Sequence, residues 1–196
     1  MLHIVALSRC AVTVRHWFEV SLTDSSLEHG ARVELRELAP QPHRGSESAA
    51  QVITADRPLW RADLFDRLPD DGQGVLRAAH FHPWFNGSEP CRRAWDPALT
   101  ADPWGWLGDQ LAGLAAAAGA PSWTLDPGDA SDLAGLADHV VTLARRFSPH
   151  RCGSAPECFR LTRDVRDTVR LMIDSLQQPG LLDLAWVSPW MDSVRS

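Results

Sequence analysis

Four side chains in one short stretch could do chemistry together. They are Arg61, Asp63, His80 and His82, within LWRADLFDRLPDDGQGVLRAAHFHPWF, residues 59–85. Histidines at i and i+2 project in parallel from a strand, a spacing used by zinc and iron proteins. Asp63, Glu89 or Cys91 could supply a third ligand to a divalent transition metal on His80 and His82. The same groups also suit metal-free acid–base work. One histidine would move protons, Asp63 would orient it, and Arg61 with Arg92 or Arg93 would hold an anionic group such as a phosphate. A third reading needs no reaction: charges pair across neighbouring strands on an ordinary polar face. Trp84, Phe85 and Trp95 flank this face in a loop with Gly87 and Pro90, and could wall a pocket or stack on a base.

The element that must position these groups is a β-hairpin turning through Pro69-Asp70-Asp71-Gly72-Gln73-Gly74. Side chains alternate across a strand, so Trp60, Ala62, Leu64 and Leu68 share one face, and Arg61, Asp63, Phe65 and Arg67 the other. On the return strand Val75, Ala79 and Phe81 lie on one side, with Leu76, Ala78, His80, His82 and Trp84 on the other. Matching apolar to apolar, with Leu68 opposite Val75, puts Asp63 opposite His80 and Arg61 opposite His82. A slip of two residues keeps all four on one face but exchanges partners. Directly opposed Cβ atoms lie roughly 5 Å apart, close enough for a carboxylate to accept from an imidazole.

Before the hairpin, AVTVRHWFEVSL (11–22) and ARVELREL (31–38) each alternate at period two and suit an antiparallel pair. His16 falls on the apolar face, as a hydrogen-bonded core histidine. Another strand starts near Gln51–Thr54, with Pro58 limiting its ladder. From Asn86 to Asp102 the chain reads as irregular. Asp102-Pro103 is an N-cap followed by a first-turn proline, opening a helix with Trp104, Leu107, Leu111, Leu114 and Ala118 on one stripe. Further helices are expected over about 131–147 and 155–177. Arg160, Arg163, Arg166 and Arg170 fall within about 120° of arc on the last, as a phosphate-binding stripe or a solvated face. About four N-terminal strands followed by helices predict an α+β fold, an antiparallel sheet packed against C-terminal helices. The expected organisation is a sheet-plus-helix unit at 1–120 and a helical extension at 121–196, within one domain.

All 19 basic residues are Arg, Tyr is absent and Asn86 is the sole Asn. The lack of Lys excludes Schiff-base chemistry and a P-loop, and the lack of Tyr excludes a phenol as acid, base or nucleophile. A net charge of −6 argues against a general nucleic-acid binder. The apolar start is broken by Ser8 and Arg9, as a signal peptide would not be, and no apolar run is long enough to span a membrane. Cys10, Cys91, Cys152 and Cys158 form no CxxC pair and are expected as reduced thiols of a cytoplasmic protein.

The strings W-R-A-D-L-F and H-F-H-P-W-F, followed by Gly87, Pro90 and Arg92-Arg93, resemble a family of short actinobacterial proteins of unknown function. The resemblance covers residues 57–115 and implies a small cytoplasmic protein without an assigned activity. The arginine–aspartate strand followed by histidines and a helix is also similar to TumE-type toxins of toxin–antitoxin pairs, which keeps RNA among the substrates to consider. Two functions follow. One is a hydrolase of a phosphate-containing substrate, with His80 and His82 as acid–base groups or metal ligands, Asp63 as orienting carboxylate, and Arg61, Trp84, Arg92 and Arg93 on the substrate. The other is a non-catalytic partner-binding protein, such as a homodimer joined through its Trp-rich loop and apolar tail.

Overall fold

Period-two alternation and a high content of β-branched and aromatic residues draw the first half of the chain into strands. The computed structural model describes residues 2–20, 27–40, 53–67, 74–114 and 123–149, all within the first of two compact units, Met1–Ala155 and Pro156–Ser196. Strands β1 (Leu2–Ala6), β2 (Cys10–Val20), β3 (Leu27–Pro40), β4 (Ile53–Arg67) and β5 (His80–His82) form one antiparallel sheet in the order β1-β2-β3-β4-β5. Strands β6 (Phe85–Asn86) and β7 (Glu89–Pro90) form a small second ribbon. Helices α1 (Pro97–Ala101), α2 (Pro103–Gly113) and α3 (Pro127–Arg145) follow, so the fold is α+β. The expected helix at 155–177, its arginine stripe and the tail lie outside the described residues.

The two faces of the sheet differ in chemistry. Val12, Val14, Ala31, Val33, Leu35, Trp60, Ala62 and Leu64 point to one side and bury against Leu107, Leu111, Leu133 and Val140 of α2 and α3. Trp60 stacks on Trp106, ring centroids 6.3 Å apart, and Phe81 meets the same ring at 5.1 Å. Each such buried side chain contributes roughly 1.5–3 kcal/mol. The other face carries Arg15, Trp17, Glu19, Glu28, Arg32, Glu34, Arg61, Asp63, His80 and His82.

Several local signals act as expected and others do not. Asp102 caps α2 by accepting from the Gly105 amide at 3.0 Å, with Pro103 in the first turn. The same Asp-Pro pair also opens α1 at Asp96-Pro97, where an irregular segment is predicted, and α3 at Asp126-Pro127, four residues before the predicted start. Pro58 lies opposite Arg36, where the β3–β4 register shifts, so the ladder continues past it with a bulge. The return strand is shorter than predicted. Residues 74–79 leave the ladder, because the Asp66 carboxylate takes the Arg77 amide and the Ala78 amide bonds the Phe65 carbonyl. Val75 is therefore exposed and pairs with nothing in a ladder. No helix among the described residues is long and apolar enough to cross a membrane.

The β1–β2 turn is tied to α3 by one carboxylate. Asp129, buried in the first turn of α3, accepts from the Ser8 and Arg9 amides, each at 2.8 Å. Burial pushes the Asp129 pKa up, but the Arg9 and Ser8 amides outweigh it and hold the carboxyl below its usual range. Hydrogen bonds to a charged group contribute about 1.5–3 kcal/mol each. Asp129→Ala should therefore lower stability by about 2–4 kcal/mol in urea unfolding, and a loss under about 1 kcal/mol would refute this role.

His16 sits half-buried on the apolar face with Nε2 3.4 Å from His29 Nδ1. Burial, reinforced by the neighbouring His29, pushes its pKa from 6.5 down to about 4. Between those values the unfolded chain holds a proton that the folded chain does not, so stability rises with pH across this window and falls on acidification. The loss should be on the order of 1–2 kcal/mol, the full shift being reduced by solvent screening of a half-buried ring. Unfolding measured at pH 6.5 and pH 4.5 should show a steeper decline for wild type than for His16→Gln; equal declines would remove His16 from the account.

Candidate metal centre

The polar face is built as cross-strand rungs. One runs Arg15, Arg32, Asp63, His80 and the next Thr13, Glu34, Arg61, His82, each residue directly opposite its neighbour. The predicted partners Asp63–His80 and Arg61–His82 are thus the observed ones. On the far side of β5, Phe81 exchanges both backbone hydrogen bonds with Ala94, so β5 is held between two segments.

This face is not the wet side of a sheet. Asp63 is 0%, His80 1%, Glu34 1% and Arg32 4% exposed. Arg32, from β3, grips Asp63 as a fork, Nε to Oδ1 at 2.6 Å and Nη2 to Oδ2 at 3.0 Å, and reaches Glu19 with the same Nη2 at 3.0 Å. Its guanidinium carbon lies 4.5 Å from the Trp17 ring centre and 5.4 Å from that of Phe65. Gly30 stands opposite both Trp17 and Phe65 at φ +154°, and a Cβ there would run into the Leu64 carbonyl. Burial pushes the Asp63 pKa up, yet His80 and Arg32 outweigh it and hold the carboxyl below the usual carboxylate range.

Both imidazoles are fixed from behind. His80 Nδ1 lies 2.7 Å from the Ala78 carbonyl and His82 Nδ1 2.7 Å from the Cys91 carbonyl. A carbonyl only accepts, so each Nδ1 carries the proton, and in the neutral ring each Nε2 presents a lone pair. Those atoms face Asp63 Oδ2 at 3.3 Å and 3.9 Å, so a proton on His80 Nε2, or a metal ion in its place, would pair with the carboxylate. Burial lowers the His82 pKa, with the Cys91 carbonyl and Asp63 opposing and His80 and Arg61 adding to the shift. The ligand atoms of Asp63, His80 and His82 all lie within 4.8 Å of one another, so this group could hold a metal ion. Two histidines and one carboxylate leave positions open, as in catalytic metal sites.

The other candidates make different contacts. The exposed Glu89 pairs with Asn86, and Cys91 meets His82 through its carbonyl, leaving Asp63 as the third member. Arg61 Nε and Nη2 both lie 2.7 Å from Glu34 Oε1, and its guanidinium covers Phe85 at 5.0 Å. Trp84 is exposed beyond the bend at Pro83, Arg92 is exposed, and Arg93 pairs with Glu28 at 2.8 Å. Arg32, Glu34, Trp17 and Arg15 are the participants that hairpin reasoning alone misses. Their alternation in β2 and β3 was the available signal, since continuing the pairing one strand further brings Arg32 to Asp63. A separate cleft of about 790 Å³, lined in part by Ser8, Cys10, Leu59, Leu125 and Asp129, has no imidazole among its described lining residues. Its Cys10 thiol is pushed up to about 12 by burial and then by Asp129, which disfavours the thiolate. No family model, curated protein or solved structure matches the chain.

Removing Arg32 strands a fully buried carboxylate, a change that typically costs about 3–5 kcal/mol. Arg32→Met should destabilise by that amount in urea unfolding, and adding Asp63→Asn should recover part of it. Additive losses in the double variant would show that the two residues do not depend on each other.

Proposed function

We propose that Asp63, His80 and His82 bind a divalent transition metal, and that the polar face of the sheet hydrolyses a phosphate-containing substrate. One observation carries this reading. Two imidazoles tied through Nδ1 to backbone carbonyls turn their lone pairs toward one buried carboxylate oxygen. With both rings neutral, converging electron pairs in a dry place repel unless a proton or a metal ion sits among them, and three ligand atoms of these types suit the metal ion. Ligand histidines commonly donate the remote N–H to a carbonyl, as both do here. A bound divalent ion would supply a water of lowered pKa and polarise a phosphoryl oxygen. The chain's own part is to keep the ligands in one tautomer and orientation, with Arg32 holding Asp63 from the opposite side. Phosphodiesters, RNA among them, and phosphomonoesters are both candidate substrates. Cys10 and Cys91 are free thiols, which fits a cytoplasmic setting.

Chelator-treated protein should bind one Co²⁺ or Zn²⁺ per chain, with Co²⁺ developing visible absorption bands. His80→Ala and His82→Ala should each weaken binding by at least the roughly 100-fold reached when outer contacts of metal ligands are lost. Metal-dependent hydrolysis of bis(4-nitrophenyl) phosphate or 4-nitrophenyl phosphate should disappear with His82→Ala. Folded protein that takes up neither Zn²⁺, Co²⁺, Mn²⁺ nor Fe²⁺ at micromolar concentration would end this reading.

A further inference from the structure

We infer that Arg15, Arg36 and Arg61, gathered around Glu34, form a binding subsite for a dianionic phosphoryl group beside the Asp63–His80–His82 group. As a substrate subsite it rests on the proposed hydrolase; as an anion site it stands on its own geometry. Three guanidiniums converge on one carboxylate. Arg61 Nη2 lies 2.7 Å from Glu34 Oε1, and Arg36 Nη1 and Arg15 Nη2 lie 3.0 and 3.5 Å from Oε2. The Glu34 side chain is 1% exposed, whereas those of Arg15, Arg36 and Arg61 are 34%, 25% and 15% exposed. The carboxylate therefore lies beneath, and the guanidiniums still reach solvent.

Charge selects the ligand. Three arginines against one glutamate leave an excess of two positive charges. Each guanidinium has five N–H donors, far more than one carboxylate and the Asp56 carbonyl, which bonds Arg36, can absorb. Arg15 Nε is buried without a partner. Burial lowers the Arg15 pKa, Glu34 opposes that, and Arg32, Arg36 and Arg61 add to it. A phosphoryl group on an ester carries about −1.5 to −2 at pH 7 and offers three strong acceptor oxygens. A carboxylate, with a single charge, leaves the cluster half compensated. Buried Glu34 holds the three arginines in place before any ligand arrives, which reduces the ordering cost of binding.

Position links this subsite to the metal ligands. Arg61 stands directly opposite His82, and Glu34 opposite Arg61. Their rung lies two residues along the strands from the Asp63–His80 rung, about 7 Å away. A phosphoryl group on the arginines is thus within reach of the proposed metal. Arg15 and Arg36 take the place that Arg92 and Arg93 have in the hairpin-based expectation.

The test is titration of metal-free protein with inorganic phosphate at low ionic strength, followed by calorimetry or ³¹P line broadening. Phosphate should bind, with acetate at least 10-fold weaker. Arg15→Ala and Arg36→Ala should each weaken phosphate binding about 10-fold and the double variant further, while Co²⁺ affinity stays unchanged. Arg15→Lys should recover part of the loss, and Arg57→Ala, whose arginine pairs with Glu37 elsewhere, should change nothing. Circular dichroism and urea unfolding check that each variant is folded. Phosphate that does not bind, binds no better than acetate, or binds equally well to a folded double variant overturns the subsite. Those results leave Co²⁺ binding, and with it the metal reading, to stand or fall separately.

Discussion

The ion pair between Arg32 and Asp63 is the constraint on which the polar half of this protein depends. A carboxylate with no exposure is costly to charge unless it is paired and hydrogen-bonded on every side. Arg32 meets that demand with a two-point grip across neighbouring strands and is itself covered by Trp17 and Phe65. With Arg32 on one side, Asp63 keeps one oxygen turned toward His80 and His82. Breaking the grip would expose the histidines to an uncompensated charge as well as loosening the sheet. Pairing across β3 and β4 also opposes register slips, because a one-residue shift would carry Asp63 to the apolar face.

The two faces of the sheet divide the work. Val12, Val14, Val33, Leu35, Trp60 and Leu64 bury against α2 and α3 and supply the hydrophobic stabilisation. The opposite face places charged groups at fixed spacing on strands, where they are held more rigidly than on loops. Arg61 and Asp63 alternate with Trp60, Ala62 and Leu64 on β4, so one strand serves both purposes. Rigid backing of this kind suits a binding site, since the ligand need not order the groups that receive it.

Much of the hairpin was legible because strand parity is a local property. Once Trp60, Ala62 and Leu64 are assigned inward, Arg61 and Asp63 must point the other way. The spacing of His80 and His82 then leaves few registers to choose from. The helix caps were legible at Asp102-Pro103 and equally present at Asp96-Pro97 and Asp126-Pro127, where α1 is too short to carry a helical stripe and the buried apolar stripe of α3 begins only at Leu133. The shortness of β5 was not legible. It follows from the Asp66 carboxylate taking the Arg77 amide and from the carbonyl of Ala78 serving His80, choices made by neighbours in space.

By itself, the sequence determined the inward and outward faces of β2, β3 and β4, the start of α2 at Asp102-Pro103 and the chemistry closed off by the lack of Lys and Tyr, because these depend on residue type and on neighbours a few positions away. Only the tertiary structure decided that Asp63, His80, His82 and Glu34 are buried within the polar face, that Asp63 is the third member of the histidine group, and that Arg32 grips it. Arg32 and Asp63 are 31 residues apart, and Arg61 and Glu34 are 27 apart. Such pairs exist only after β3 and β4 have aligned. Burial, which converts an ordinary charged face into a candidate metal and phosphate site, arises from all the neighbours at once.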